Sequence, residues 1–132
     1  MIDRVIDASV LAHALIGKSS AATDLRARLR TTTCHAPHLI DAELGNVLRK
    51  RAREGEVTAA QAAAALHVAR DVIDHRYPHT GSLADLAWTL RDNLSFYDAL
   101  YVALAASLGV PLVTGDRRLS RAPGLPCAVE LI

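Results

Sequence analysis

Apolar positions along this chain fall into short strand-like runs separated by longer helical stripes. MIDRVID (1–7) is an apolar run closed by Asp7, and it predicts a buried strand. Ala8, Ser9 and the apolar residues through Ile16 predict a helix, which Gly17, Ser19 and Ser20 break before a second helix in AATDLRARLR. TTTCHAP (31–37) is β-branched and ends at Pro37, the pattern of a second strand. From His38 to Arg53 the residues Ile40, Leu44, Val47 and Leu48 keep helical spacing, and Gly55 supplies the stop. Thr58 is placed to cap an alanine-rich helix running to about Ile73. RYPHT (76–80) reads as a third strand before a helix that begins near Ser82 or Leu83. Ser95 is placed to cap the next helix, Gly109 ends it, and VPLVTGD and CAVELI are the last two strands. Strands that alternate with helices in this way predict a single domain over residues 1–132. Its fold class is α/β, a three-layer α/β/α sandwich with a central parallel sheet.

One interruption of the apolar pattern stands out. Between Asn93 and Gly115 the only charged residue is Asp98, and positions 94, 95, 101 and 102 offer it no cation. A carboxylate buried in such a helix costs free energy unless a partner or a metal ion compensates it, so a buried Asp98 is expected to find one elsewhere in the fold. Asp7 and Asp116 both follow predicted strands. In open α/β sheets, sites form beyond the carboxyl ends of the strands where the strand order reverses, and first-turn residues of the following helices reach the same edge. Asp7 and Asp116 alone read equally well as a helix cap and a turn residue. Asp41 and Glu43 both lie on the borders of the Ile40–Leu44–Val47–Leu48 stripe, and helical periodicity does not choose between them.

Composition narrows the class. A chain of 132 residues that is 51% hydrophobic and 22% charged is an ordinary globular domain, with a net charge of +1. Cys34 and Cys127 have no metal-ligand spacing and suit a reduced, cytoplasmic setting. The six histidines show no paired ligand spacing. Lys18 and Lys50 are the only lysines, and arginines cluster at 26–30, 49–53 and 117–121. Arginine forks suit phosphate, although alanine and arginine enrichment also accompanies a GC-rich genome.

Four segments carry a family resemblance: VIDASVL, PHLIDAELGNVLRK, FYDALYVALA and LVTGDRRL. In this order and at these intervals they resemble the signature blocks of PIN-domain nucleases, and the length resembles the VapC-type toxins of bacterial toxin–antitoxin pairs. The resemblance spans Asp7 to Leu119 and matches the family's four acids to Asp7, Glu43, Asp98 and Asp116, choosing Glu43 over Asp41. It sets Ser9 and Thr114 beside them as supporting hydroxyls. It implies endoribonuclease activity with Mg²⁺ or Mn²⁺, an RNA substrate, an antitoxin partner of the VapB kind, and a homodimer. Hard carboxylate oxygens are the ligands those ions take, and carboxylates crowded together resist ionisation. Under this reading Arg117 and Arg118 are the first candidates for RNA contact, with Arg49 and Arg51 as a second patch. A phosphoacceptor module fits poorly, because the first strand ends in a single Asp and no lysine follows Lys50. Two rivals stay open: a non-catalytic binding module, and an RNA-processing nuclease outside toxin–antitoxin pairs.

Overall fold

The structure is a computed structural model that describes residues 1–132. Five strands, β1 (Ile2–Ile6), β2 (Thr32–Pro37), β3 (His75–Tyr77), β4 (Leu112–Thr114) and β5 (Val129–Leu131), form one sheet in the order β3-β2-β1-β4-β5. Every neighbouring pair is parallel. Seven helices connect and cover it: α1 (Ala8–Ile16), α2 (Ser20–Arg30), α3 (Leu39–Arg53), α4 (Ala59–Val72), α5 (Ser82–Trp88), α6 (Phe96–Leu108) and α7 (Arg117–Ser120). The expected α/β/α sandwich is the observed one. Helices α1–α4 pack on one another on one face, and α5 packs with α6 on the other. No helix is long and apolar enough to cross a membrane.

β1 is the central strand, so its end carries the apolar pattern most strictly: Val5 and Ile6 are fully buried, as are Leu112 and Val113 beside them. α6 runs behind the sheet with Ala99 to Ala105 buried, which explains why that helix is nearly free of charge. Local signals set the helix limits. Ser19, Thr58 and Ser95 each accept a backbone N–H at a helix start, and Thr58 with Gln61 forms a reciprocal capping box. Gly109 ends α6 at φ +67°, a conformation costly for any residue with a Cβ. Gly17 is required by proximity, since a Cβ there would lie 2.4 Å from the His13 carbonyl oxygen and 2.6 Å from Ala22 Cβ.

Two expectations need correction, and one helix is new. The third strand is His75–Tyr77 and stops before Pro78, whose missing N–H cannot join a ladder. The fourth is only Leu112–Thr114, because Gly115 and Asp116 turn away into α7. That short helix is not foreshadowed by any apolar stripe, and the Asp116 side chain starts it.

Candidate active site

The order of the strands reverses between β1 and β4, and this is where the carboxylates gather. Asp7 leaves the end of β1 and caps α1, so the expected cap and the candidate site residue are the same side chain. Its Oδ1 accepts from Val10 N at 3.1 Å and from the Ser9 hydroxyl at 2.6 Å, while Oδ2 accepts from the Thr114 hydroxyl. Each hydroxyl in turn accepts a backbone N–H from the β4–α7 turn: Gly115 N reaches Ser9 Oγ and Asp116 N reaches Thr114 Oγ1, both at 3.0 Å. Ser9 and Thr114 therefore tie the Asp7 carboxylate to the turn that carries Asp116. Asp116 caps α7, its Oδ1 accepting from Arg118 N at 2.9 Å and Leu119 N at 3.2 Å.

Asp98 corrects an expectation. It is half-buried rather than buried, because it is the third residue of α6 and the start of that helix emerges at the edge of the sheet. Its backbone N–H is taken by Ser95 Oγ at 3.2 Å. Partial burial raises its carboxyl above the ordinary value, and the negative charges of Asp116 and Asp7 push the same way; Ser95 and the Arg118 guanidinium oppose them. Glu43, in the second turn of α3, is raised first by burial and then by Asp98 and Asp7. Tyr101, one turn further along α6 than Asp98, donates its phenol to Glu43 Oε1 at 2.5 Å and works against that rise. Tyr101 is itself buried, and burial together with Glu43 holds its phenol far above the ordinary range, so it remains a donor. Motif reading passed over Tyr101; the available signal was a tyrosine inside an apolar helix, whose hydroxyl needs a partner when buried.

The rival acid of α3 is elsewhere. Asp41 receives both arms of Arg76, Nε at 2.7 Å and Nη2 at 3.0 Å, and that guanidinium also donates to the Ala69 carbonyl at the end of α4. Asp41 is thus committed to tying α3 to β3 through Arg76, which also reaches α4, and of the two acids Glu43 is the one acted on by the charges of Asp98 and Asp7.

Among the arginines, Arg118 is the one whose charge acts on Asp98. Arg117 is exposed on the same short helix. Arg51 pairs with Glu56 at 2.6 Å and lines a cavity of about 580 Å³ with Ser9, Arg28 and Gly115, whereas Arg49 is simply exposed. The cluster at 26–30 has structural work: Arg26 donates to the carbonyls of Ala14 and Gly17 at the end of α1, and Arg28 pairs with Glu130.

The donor set around this edge is all oxygen. No group of three or more carboxylate, histidine or cysteine side chains stands close enough to hold one ion on side chains alone. An ion of the magnesium kind asks for less, since it binds through one or two carboxylates and keeps several waters. Two carboxyls resisting ionisation beside two others is the electrostatic state that such an ion relieves, and the residues present fit it.

Fold and site define the class, an open parallel α/β domain with an acid cluster at its topological switch point. Residues 4–125 match the PIN domain model. The chain is 49% identical over 132 residues to ribonuclease VapC1 of Mycobacterium tuberculosis, covering 100% of this chain and 99% of that one. Among solved structures it resembles VapBC2 from Rickettsia felis, bound there to a DNA fragment from its promoter. The TM-score is 0.72 at 14% identity, over 99% of both chains. It also resembles VapBC-5 from Mycobacterium tuberculosis, a member of the VapBC family of toxin–antitoxin systems. That TM-score is 0.61 at 23% identity, over 100% of this chain and 98% of the other. The chain belongs to the PIN-domain family and, within it, to the VapC ribonucleases.

Proposed function

We propose that the protein is an endoribonuclease dependent on Mg²⁺ or Mn²⁺ and that it serves as the toxin of a toxin–antitoxin pair. The observation that supports this reading is the gathering of acids at the switch point, where the charges of Asp98 and Asp7 act on Glu43 and those of Asp116 and Asp7 act on Asp98, in a chain about half identical to a ribonuclease. A divalent cation bound there supplies activation of water and neutralisation of the charge that develops on the scissile phosphate. Asp7 and Asp98 would be the most direct ligands. The first is held by three hydrogen-bond donors at a rigid strand end, and the second projects from the first turn of a buried helix. Glu43, steadied by Tyr101, would bind the ion or orient the attacking water, whose oxygen joins phosphorus as the P–O bond to the leaving ribose oxygen breaks, the water giving up a proton and the leaving oxygen taking one from solvent. Asp116 completes the site through water or a second ion.

The partners are an RNA substrate, an antitoxin of the VapB kind that blocks the carboxylates, and a second copy of the chain; the setting is cytoplasmic. Purified protein incubated with total cellular RNA should generate new, discrete 5′ ends in Mg²⁺ and none in excess EDTA. Undiminished cleavage in EDTA would remove the metal-dependent reading.

Substrate positioning falls to Arg118 and Arg117, beside Asp98 and Asp116 and exposed. Replacing both by Ala should weaken RNA binding and flatten its salt dependence by about one unit of slope for each phosphate the variant no longer neutralises. Cleavage at saturating RNA should fall less than affinity does. Identical salt slopes for the parent and the double variant, measured on a cleavage-dead background, would return these arginines to the ordinary surface.

A further inference from the structure

The face of α6 that looks at the acid cluster carries one more chemically distinctive residue. Positions 97, 98 and 101 lie on the same side of a helix of 3.6 residues per turn. Tyr101 fixes where that side points, since its phenol reaches Glu43 on α3. Helical side chains lean toward the helix N-terminus, so Tyr97 projects about one turn, roughly 5.4 Å, beyond Tyr101 at the outer lip of the cluster and next to Asp98.

Its surroundings differ from those of Tyr101, Tyr77 and Trp88; Phe96 beside it, 40% exposed, is likewise outside any stacked pair but carries no hydroxyl. Tyr101 is 2% exposed and Tyr97 is 61% exposed. The Tyr77 ring stacks with His35, and the Trp88 ring is covered by the Arg91 guanidinium at 4.9 Å. Tyr97 has no stacking partner, its hydroxyl makes no hydrogen bond within the chain, and it adjoins an acid of the site. Burial does not account for an aromatic ring left open to water at this position.

We infer that Tyr97 is a stacking platform for one unpaired base of the RNA, that of a nucleotide flanking the scissile phosphate. The inference rests on the ribonuclease reading and adds to it a substrate conformation. A-form duplex keeps its base faces stacked inside the helix, so a base that lies on Tyr97 belongs to a single-stranded segment or a loop. Every base has a π-face, so this interaction selects an unstacked nucleotide without selecting its identity. Arg118 reaches the same neighbourhood through its charge on Asp98, and it supplies attraction for the phosphate of the nucleotide whose base is bound.

The test pairs a protein change with an RNA change, using the full chain with Mg²⁺ and a short single-stranded RNA containing a mapped cleavage site. Tyr97→Ala should raise KM by about 5- to 150-fold, the factor expected for removal of one base stack, and lower kcat by much less. Tyr97→Phe and Tyr97→Trp, which keep the face, should retain the parent KM. Abasic substitution at one position flanking the cleavage site should cost the parent protein the same factor and cost Tyr97→Ala nothing further. Additive losses at every abasic position, or an unchanged KM for Tyr97→Ala, would overturn the inference while leaving the ribonuclease reading intact. A change in the oligomeric mass of free Tyr97→Ala would assign the ring to a protein contact and overturn it as well. Failure of the parent protein to cleave any RNA would bring down the ribonuclease reading and this inference together.

Discussion

Asp98→Asn protein is expected to lose RNA cleavage by a factor of about 10³ or more while melting at a higher temperature than the parent in EDTA at neutral pH. On the proposed reading, the activity loss follows from removing a group that would hold the cation, whose transition-state stabilisation would amount to several kcal/mol on the order-of-magnitude scale of metal-ion catalysis. The gain in stability follows from electrostatics. The Asp98 carboxyl lies above its ordinary value of 3.8 in the folded chain, through partial burial and then the charges of Asp116 and Asp7. Over the window from 3.8 up to the raised value, the folded protein therefore holds a proton that the unfolded chain releases. Folding stability falls as pH rises through that window, and the full penalty is present above it. Asn imitates the neutral carboxyl, so the advantage of the variant should be absent near pH 3 and grow as pH rises through that window. Its size is modest, because the group is only half-buried. Melting curves of both proteins across pH in EDTA check this. A variant no more stable than the parent at neutral pH would remove the charge-repulsion account, and a fully active variant would remove Asp98 from the site.

Glu43→Gln and Asp41→Asn should separate activity from stability in opposite directions. Glu43 is raised by burial and by the negative charge of Asp98 and Asp7, and it is held by Tyr101. Its replacement should remove most cleavage, on the order of 10²-fold or more, with the fold intact. Asp41 receives a two-armed hydrogen bond from Arg76, which also donates to the Ala69 carbonyl. Asp41→Asn weakens that tie between β3, α3 and α4 and should cost on the order of 1 kcal/mol of stability with little change in cleavage. Cleavage assays and denaturant titrations on both variants decide the matter. Small, equal losses of activity would mean that neither acid of α3 takes part.

Those two acids also mark the boundary of what patterning can convey. Hydrophobic periodicity places both on the borders of one stripe, since a helix presents adjacent faces about 100° apart and each borders the core. The resemblance to the family chose Glu43. The physical ground for a choice is Arg76, which lies 35 residues away from Asp41 and meets it only because β3 pairs with β2. The apolar run ending at Asp7, the cap at Ser95 and the stop at Gly109 were legible because strand burial, capping and left-handed glycine are local properties. The alternation of strands and helices led to the parallel sheet for the same kind of reason, because neighbouring parallel strands need a long crossover, usually a helix.

The sequence by itself determined the class of fold, the order of its elements and the residue types able to gather at the edge of the sheet. It did not determine how deeply Asp98 sits, that α7 exists, or that Tyr101 holds Glu43. Asp98 looked buried because its helix is apolar throughout; depth depends on where that helix starts relative to the sheet edge, which the periodicity does not encode. α7 has no stripe because four residues make one turn, and its start comes from the Asp116 side chain closing on two backbone N–H groups. The bonds that join Asp7 to the β4–α7 turn, through Ser9 and Thr114, link residues more than a hundred positions apart. Such bonds are products of chain closure across β1 and β4, and only the tertiary structure supplies them.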